Sequence, residues 1–173
     1  MPSNTHRHGQ ATRSYAAFAS LTPGADFAES MQRFVDAYWD AFNHDKTDGR
    51  VSWVGFYLPD PENHTQMILA ARRDKPACSP IGLHGACGQS FTSRQTLVVT
   101  DVANLGAGYI ACDPRDRSEL VVPLIGPRGV CLGVLDVDSF DTHAFTEHDA
   151  RETHAALARM GLTTTEPVHV QMR

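Results

Sequence analysis

Apolar residues recur between positions 31 and 42 with the spacing of a helix. The positions i, i+3, i+4 and i+7 are filled in turn, which is typical of a helix with one apolar face. The stripe consists of Met31, Phe34, Val35, Tyr38, Trp39 and Phe42. This pattern predicts a helix that packs on a core.

After this helix the pattern changes to runs of β-branched, aromatic and aliphatic residues, which predict strands. The predicted strands are residues 51–58, 66–71, 96–99, 120–125 and 130–137. The four residues between the last two strands, 126–129, read Gly-Pro-Arg-Gly and have the composition of a hairpin turn. We therefore expect the last two strands to be neighbours in a sheet.

Two further helices are predicted. A short one is expected at residues 89–94, and the last one begins at Thr146 and ends near Met160, just before Gly161. Asp149 lies three residues after Thr146, as the acidic member of a capping box does. Between the regular elements, residues 74–88 and 104–118 are too rich in glycine and proline for helix or strand, so they are candidate functional loops.

The order of these elements predicts an α/β fold of the α+β type. We expect a central antiparallel sheet, with the terminal helices on one face and a loop-covered pocket on the other. A chain of 173 residues has the length of one domain. The expected boundaries are a mobile polar leader at 1–14, the domain at 15–162 and a tail at 163–173.

Composition excludes several classes of function. The formal net charge is -5, and the 15 basic residues are scattered among 20 acidic ones, which argues against nucleic-acid binding. The sequence contains neither an apolar run long enough for a membrane span nor the apolar core of a secretory signal. Four cysteines without a dense framework indicate a reducing compartment, so we expect a cytoplasmic protein with free thiols.

Two cysteines are candidate nucleophiles. Cys112 lies in the second loop beside Asp113, with Arg115 and Arg117 close by, and these arginines would favour a thiolate if they point inward. Alternatively, Cys112 packs at the start of a strand. Cys87 is the rival, because it precedes a predicted helix whose backbone N–H groups and dipole would lower the pKa of its thiol.

The other two cysteines have different surroundings. Cys78 lies in a flexible loop, which suits a thiol that must move to form a disulfide. Cys131 lies between Val130 and Leu132, and we expect it to be buried and inert. Structural zinc ligands usually occur in pairs two to four residues apart. The cysteines contain no such pair, although His84 lies three residues before Cys87, so no metal site is predicted.

Three carboxylates are candidates for a binding site. Asp136 and Asp138 are two residues apart on one strand, so both project from the same face. With Glu119 at the start of the neighbouring strand, they would hold an ammonium group, and like-charge repulsion would keep one of them protonated. The alternative is an ordinary turn in which Asp138 and Ser139 cap the loop that follows.

Several short motifs match a known family. They are Trp53-Val54-Gly55-Phe56-Tyr57, Ala77-Cys78 with Ile81, Gly85 with Cys87-Gly88, Asp101-Val102, Ile110-Ala111-Cys112-Asp113, Ser118-Glu119, Val122-Pro123-Leu124, and the run from Gly133 to Ser139. Over residues 30–162 the chain resembles the free methionine-(R)-sulfoxide reductases, which have the GAF fold. It differs in a shorter stretch between Cys78 and Cys87, in His84 within that stretch, and in the additional Cys131.

The resemblance implies a role for each matched residue. Cys112 corresponds to the catalytic cysteine, Cys78 to the resolving cysteine, and Cys87 to a third that assists or is dispensable. The acids Glu119, Asp136 and Asp138 correspond to substrate-binding residues, and Trp53 and Tyr57 to an aromatic wall.

The activity that the resemblance implies is reduction of free L-methionine-(R)-S-oxide to L-methionine, a defence against oxidative stress. It would proceed through a sulfenic acid on Cys112 and a Cys78–Cys112 disulfide that thioredoxin reduces, without a cofactor, and the resemblance also suggests a homodimer. Two alternatives remain at this point. One is a GAF module that senses a small molecule without catalysis, and the other is a redox switch whose disulfide regulates binding.

Overall fold

The structure is a computed structural model and describes residues 12–46, 50–106, 109 and 112–173. Its helices are α1 (Phe27–Phe42), α2 (Ala86–Ser93) and α3 (Glu147–Arg159). Its strands are β1 (Trp53–Pro59), β2 (Gln66–Arg73), β3 (Ile81–Gly82), β4 (Thr96–Val99), β5 (Ser118–Ile125), β6 (Cys131–Ser139) and β7 (Val170–Met172). The five predicted strands are all present, and β3 and β7 are additional.

The seven strands form one sheet in the order β3-β2-β1-β6-β5-β4-β7. Neighbouring strands are antiparallel except β4 and β7, which run parallel. The predicted hairpin partners β5 and β6 lie in the middle of the sheet, each paired on both sides. The α+β class is therefore confirmed.

Successive side chains of a strand point to opposite faces of the sheet, so the strands contribute to two separate cores. In β1, Val54 and Phe56 belong to a large core that also contains the apolar faces of α1 and α3. Trp53 and Tyr57 belong to a smaller core on the opposite face, which also includes residues of α2. The terminal helices thus lie on one face as predicted, and α2 with its flanking loops covers the other.

Both long helices begin where the sequence supplies a cap. The Asp26 side chain accepts a hydrogen bond from the backbone N–H of Glu29 at 2.8 Å, which starts α1. All six residues of the predicted apolar stripe on α1 are buried. At the start of α3, Thr146 and Asp149 form the predicted capping box, and Gly161 follows its end with a φ of +68°.

Helix α2 begins three residues before the predicted start, at Ala86. Gly85, in an extended conformation, acts as its N-cap. Position 88 needs glycine because the helix approaches the preceding loop closely there. A Cβ atom at this position would lie 2.2 Å from the Leu83 Cα. Cys87 consequently lies within the first turn of the helix rather than ahead of it.

The chain ends contribute more to the fold than the sequence predicts. The predicted leader includes Arg13, but this residue is buried and its Nη1 lies 3.1 Å from Asp149 Oδ1. The predicted tail forms β7, which supplies hydrogen-bonding partners to the edge of β4. The rest of the leader, residues 1–11, lies outside the described residues. Among the described helices, none is both long and apolar enough to cross a bilayer.

Candidate active site

The predicted site residues meet on the α2 face of the sheet because of strand register. Asp138 on β6 is paired with Trp53 on β1 and with Glu119 on β5. Asp136 is paired with Gly55 and Val121 in the same strands. Side chains two residues apart on a strand share a face, so the two aspartates lie on the same side of β6.

The two aromatic residues of the site are held by backbone carbonyl groups of the neighbouring loop. Trp53 donates its Nε1 hydrogen to the Lys75 carbonyl oxygen at 3.0 Å, and the Tyr57 hydroxyl donates to the Cys78 carbonyl oxygen at 2.8 Å. Gly55 lets the indole lie flat across the strand, because a Cβ there would be 2.3 Å from the ring. The same two bonds fix the loop that carries Cys78.

Two cavities meet at this place. The larger, of about 230 Å³, is lined by Tyr57, Cys78, Pro80, Ile81, Gly82, His84, Gly85, Cys87, Tyr109, Cys112, Asp116, Glu119 and Asp138. The smaller, of about 110 Å³, is lined by Trp53, Lys75, Pro76, Ala77, Cys112, Asp113, Asp116 and Asp138. Cys112, Asp116 and Asp138 line both, so they separate two halves of one site.

Cys112 and Cys78 are both exposed, with reduced thiols. The Cys78 side chain is a direct neighbour of the Cys112 side chain. Partial burial and this neighbouring thiol raise the pKa of Cys112 to about 12. The structure brings the two sulfur atoms together, but the expected stabilisation of a Cys112 thiolate in the resting protein is wrong.

Two cations near Cys112, those of Arg115 and Lys75, belong to a carboxylate instead. Arg115 donates to Asp113 through Nε at 3.0 Å and through Nη2 at 2.7 Å, and Lys75 also pairs with Asp113. The two cations lie 4.5 and 5.1 Å from the centre of the Phe140 ring. These bonds lower the pKa of Asp113 and hold both cations at this carboxylate.

The predicted acids form a buried cluster with Cys87. The Cys87 sulfur and one carboxylate oxygen each from Glu119 and Asp136 lie within 4.8 Å of one another. Burial, followed by repulsion from other acids of the site, raises the pKa of Glu119 and of Asp138 well above the ordinary range. Burial raises the pKa of Asp136 to about 7, so this cluster holds protons near neutral pH.

Cys87 does not have the environment predicted from its position before a helix. It is buried, and burial together with the charge of Asp136 raises the pKa of its thiol well above the ordinary value. A helix N-terminus favours the thiolate, but the nearby acids and the loss of water outweigh it here. The assignment of Cys87 as a rival thiolate nucleophile is therefore wrong.

Asp116 is a site residue that the sequence patterns missed. It is 5% exposed and accepts a hydrogen bond from the Ser52 hydroxyl at 2.8 Å. Its charge contributes to the raised pKa of Asp136 and of Asp138. In the sequence it stands among charged residues of a loop and resembles a solvent-exposed acid, so only the fold reveals that it is buried.

Tyr109 was also missed, and its hydroxyl donates to Glu119 Oε2 at 2.9 Å. Cys131 lines neither of the two cavities. It is half-buried rather than fully buried, and its thiol donates to the Gly133 carbonyl oxygen at 3.3 Å. Its surroundings are therefore those of a strand residue outside the site.

Comparison with known proteins identifies the family. The family profile of the GAF domain matches residues 48–160. Free methionine-R-sulfoxide reductase of Escherichia coli is 33% identical over 120 residues, which cover 67% of this chain and 69% of that protein. The chain belongs to the free methionine-(R)-sulfoxide reductase family of GAF domains.

Two further relatives agree. Free methionine-R-sulfoxide reductase of Saccharomyces cerevisiae is 36% identical over 123 residues, covering 70% of this chain and 66% of that protein, slightly less than two thirds. The solved free methionine-R-sulfoxide reductase of Neisseria meningitidis, in complex with its substrate, is 32% identical with a TM-score of 0.66. That match covers 84% of this chain and 83% of the Neisseria chain.

Proposed function

We propose that this protein reduces free methionine-(R)-sulfoxide to methionine and that Cys112 is the attacking residue. The observation that carries the proposal is the contact between the Cys112 and Cys78 side chains at the junction of two acid-lined cavities. Ligand sites for drug-sized molecules measure roughly 300–1,000 Å³. A cavity of about 230 Å³ suits a smaller molecule, such as a single amino acid.

The buried acids would recognise the α-ammonium group of the substrate. Glu119 and Asp138 both line the larger cavity, while Asp136 lies below them and lines neither cavity. A free amino acid brings a positive charge that these acids stabilise, whereas the corresponding nitrogen in a peptide is an uncharged amide. Trp53 and Tyr57, with ring centres 6.0 Å apart, would contact the S-methyl group and select one isomer.

The reaction balances with the groups present. The Cys112 sulfur attacks the sulfoxide sulfur and forms an S–S bond, while a protonated carboxyl of the site gives its proton to the sulfoxide oxygen. The hydroxyl then passes from the methionine sulfur to the Cys112 sulfur as the S–S bond breaks, so methionine leaves and Cys112 becomes a sulfenic acid. The proton that Cys112 loses goes to the carboxylate and replaces the one given up. Because the resting Cys112 is protonated, an acid that has just lost its proton is the natural acceptor.

Cys78 then completes the cycle. Its thiol attacks the sulfenic sulfur of Cys112, water leaves, and a Cys78–Cys112 disulfide forms. An external dithiol, which we propose is thioredoxin, reduces this bond by thiol–disulfide exchange. Cys87 would assist only indirectly, as a buried neighbour of the acids. That the protein is cytoplasmic and that it forms a homodimer remain predictions.

The decisive experiment follows both isomers of methionine sulfoxide with the reduced protein and a thiol. We expect loss of the R isomer only, and only for the free amino acid, while a peptide-bound sulfoxide is unchanged. Equal persistence of both free isomers would instead favour a GAF module that senses a ligand.

Variants separate the enzyme from a redox switch. Cys78→Ser is expected to complete one turnover per chain and then stop, whereas Cys112→Ser completes none. Cys131→Ser, outside the site, serves as the matched control and should cycle normally. Normal cycling of Cys112→Ser would refute the assignment of the attacking sulfur.

A further inference from the structure

The cluster of Cys87, Glu119 and Asp136 contains the donor atoms of a metal site. The three residues come from α2, β5 and β6, and one donor atom from each lies within 4.8 Å of the other two. Zinc is held at about 2.3 Å by sulfur and about 2.0–2.2 Å by carboxylate oxygen, so tetrahedral donors lie about 3.5 Å apart. Side-chain rotations that move the donor atoms by about 1 Å would therefore be enough for all three to bind one ion.

One oxygen atom of the cluster lacks a hydrogen-bond partner in the part of the chain that the structure describes. Within the described residues, 12–46, 50–106, 109 and 112–173, Asp136 Oδ1 accepts no hydrogen bond, although it is buried in a residue that is only 7% exposed. A buried acceptor without a partner costs free energy, and native proteins contain few of them. A cation between this oxygen and the neighbouring sulfur would remove that cost.

The site has an open side. Cys87 and Glu119 line the larger cavity, so an ion entering through it would meet these two donors first and Asp136 beneath them. A thiolate combined with carboxylates favours zinc over magnesium or calcium, which prefer oxygen ligands alone. The spacing of ligands in the sequence gives no indication of such a site, since positions 87, 119 and 136 are joined only by the fold.

We propose that Cys87, Glu119 and Asp136 bind one Zn²⁺ ion and that the bound ion excludes the substrate from the acids. Binding replaces the proton of the Cys87 thiol and those of the carboxyls that carry one, and the protons pass to solvent. The affinity for the ion consequently rises with pH. The competition with substrate rests on the proposed reductase function, whereas the binding of Zn²⁺ does not.

Binding is tested by equilibrium dialysis of Zn²⁺ against the full chain, kept reduced with a phosphine. His6→Ala and His8→Ala are present throughout, so that the N-terminal histidines do not contribute. We expect one ion per chain, and we expect Cys87→Ser and Asp136→Asn each to weaken binding at least about tenfold. With Co²⁺ as the probe, a thiolate-to-metal absorption band should appear and should be missing from Cys87→Ser.

The rival site is the Cys78 and Cys112 pair, whose two thiols are in contact. The double variant Cys78→Ser/Cys112→Ser distinguishes the two, because it leaves the proposed cluster intact. Zn²⁺ binding that survives in the double variant and is lost in Cys87→Ser supports the proposal. Binding lost in the double variant and kept in Cys87→Ser overturns it, as does unchanged binding in a folded Cys87→Ser protein.

Competition is measured in single turnovers of the prereduced protein without added thiol. Zn²⁺ should slow the first turnover, and excess free methionine sulfoxide should restore the rate. Turnover that Zn²⁺ slows equally in Cys87→Ser, or that excess substrate does not restore, overturns the competition. If the protein binds Zn²⁺ through Cys87 but reduces no sulfoxide, the metal site stands and the proposed function fails.

Discussion

Glu119 and Asp138 lie directly opposite each other on β5 and β6, and both side chains line the larger cavity. Like charges at opposed positions of two strands repel, and burial strengthens the effect. The pair is therefore costly to the folded protein unless protons or a cation neutralise it. We expect this cost to give the site an affinity for a positively charged group.

Removing one charge of the pair should weaken the substrate site. For Asp138→Asn we expect kcat/KM for free methionine sulfoxide to fall about 10- to 150-fold, since a hydrogen bond to a charged group contributes about 1.5–3 kcal/mol. Steady-state kinetics measures the effect. Asp141→Asn is the control, because Asp141 is exposed and pairs with Arg50 outside the cavities. A loss of equal size in both variants would contradict the role of Asp138.

Asp136 should make stability depend on pH. Its pKa is about 7 in the folded protein against an ordinary value of 3.8, so the folded state binds the proton more tightly than the unfolded state. Folding stability must then fall as pH rises from about 4 through 7. Between pH 5 and 8 the ionisation of this single group lowers the free energy of unfolding by about 2.5 kcal/mol.

The variant Asp136→Asn removes that dependence. We expect the free energy of unfolding of the variant minus that of the unaltered protein, both measured in urea, to increase by about 2.5 kcal/mol from pH 5 to pH 8. A difference between the two proteins that stays constant over this range would mean that Asp136 does not titrate between pH 5 and 8, which would contradict the prediction.

Cys112 should be slow to alkylate in the resting protein. Because its pKa is about 12, the thiolate fraction rises tenfold per pH unit across the accessible range. We expect the rate of modification by iodoacetamide at Cys112, followed by mass spectrometry, to rise about tenfold per unit from pH 7 to 10. A plateau below pH 9 would indicate an activated thiolate.

Arg13 should contribute strongly to stability although it precedes the predicted domain. Its guanidinium group is buried against Asp149 and donates to the Ala144 carbonyl oxygen at 2.7 Å. Arg13→Ala leaves a buried carboxylate without its charge partner, which typically costs 3–5 kcal/mol. Arg151→Ala, which breaks an exposed pair with Glu147, should cost less than about 1 kcal/mol. Thermal unfolding of both variants tests the contrast.

The regular elements could be predicted because their signals are local. The α1 stripe, the Thr146 capping box and the alternation along β6 each depend on residues close in sequence. The convergence of Glu119 with Asp136 was also predictable, since strand alternation places them on one face. What could not be predicted is the environment of each charge, which depends on distant residues.

Arg115 illustrates this limit. In the sequence it stands two residues from Asp113 and three from Cys112, so either could be its partner. Only the fold adds Lys75 and Phe140, which keep the guanidinium at the carboxylate. The burial of Asp116 could not be predicted for the same reason, because Ser52, its hydrogen-bonding partner, lies 64 positions away in the chain. The C-terminal strand was missed because three residues of mixed polarity have no distinct pattern.

That strand has a consequence for how the protein behaves at high concentration. β4 is wholly buried and contains Leu97, Val98 and Val99, and without β7 its outer edge would be a ready template for strands of other molecules. At the opposite end of the sheet, β3 is too short to recruit a partner. Removing residues 163–173 would open the β4 edge, and we expect the shortened protein to aggregate.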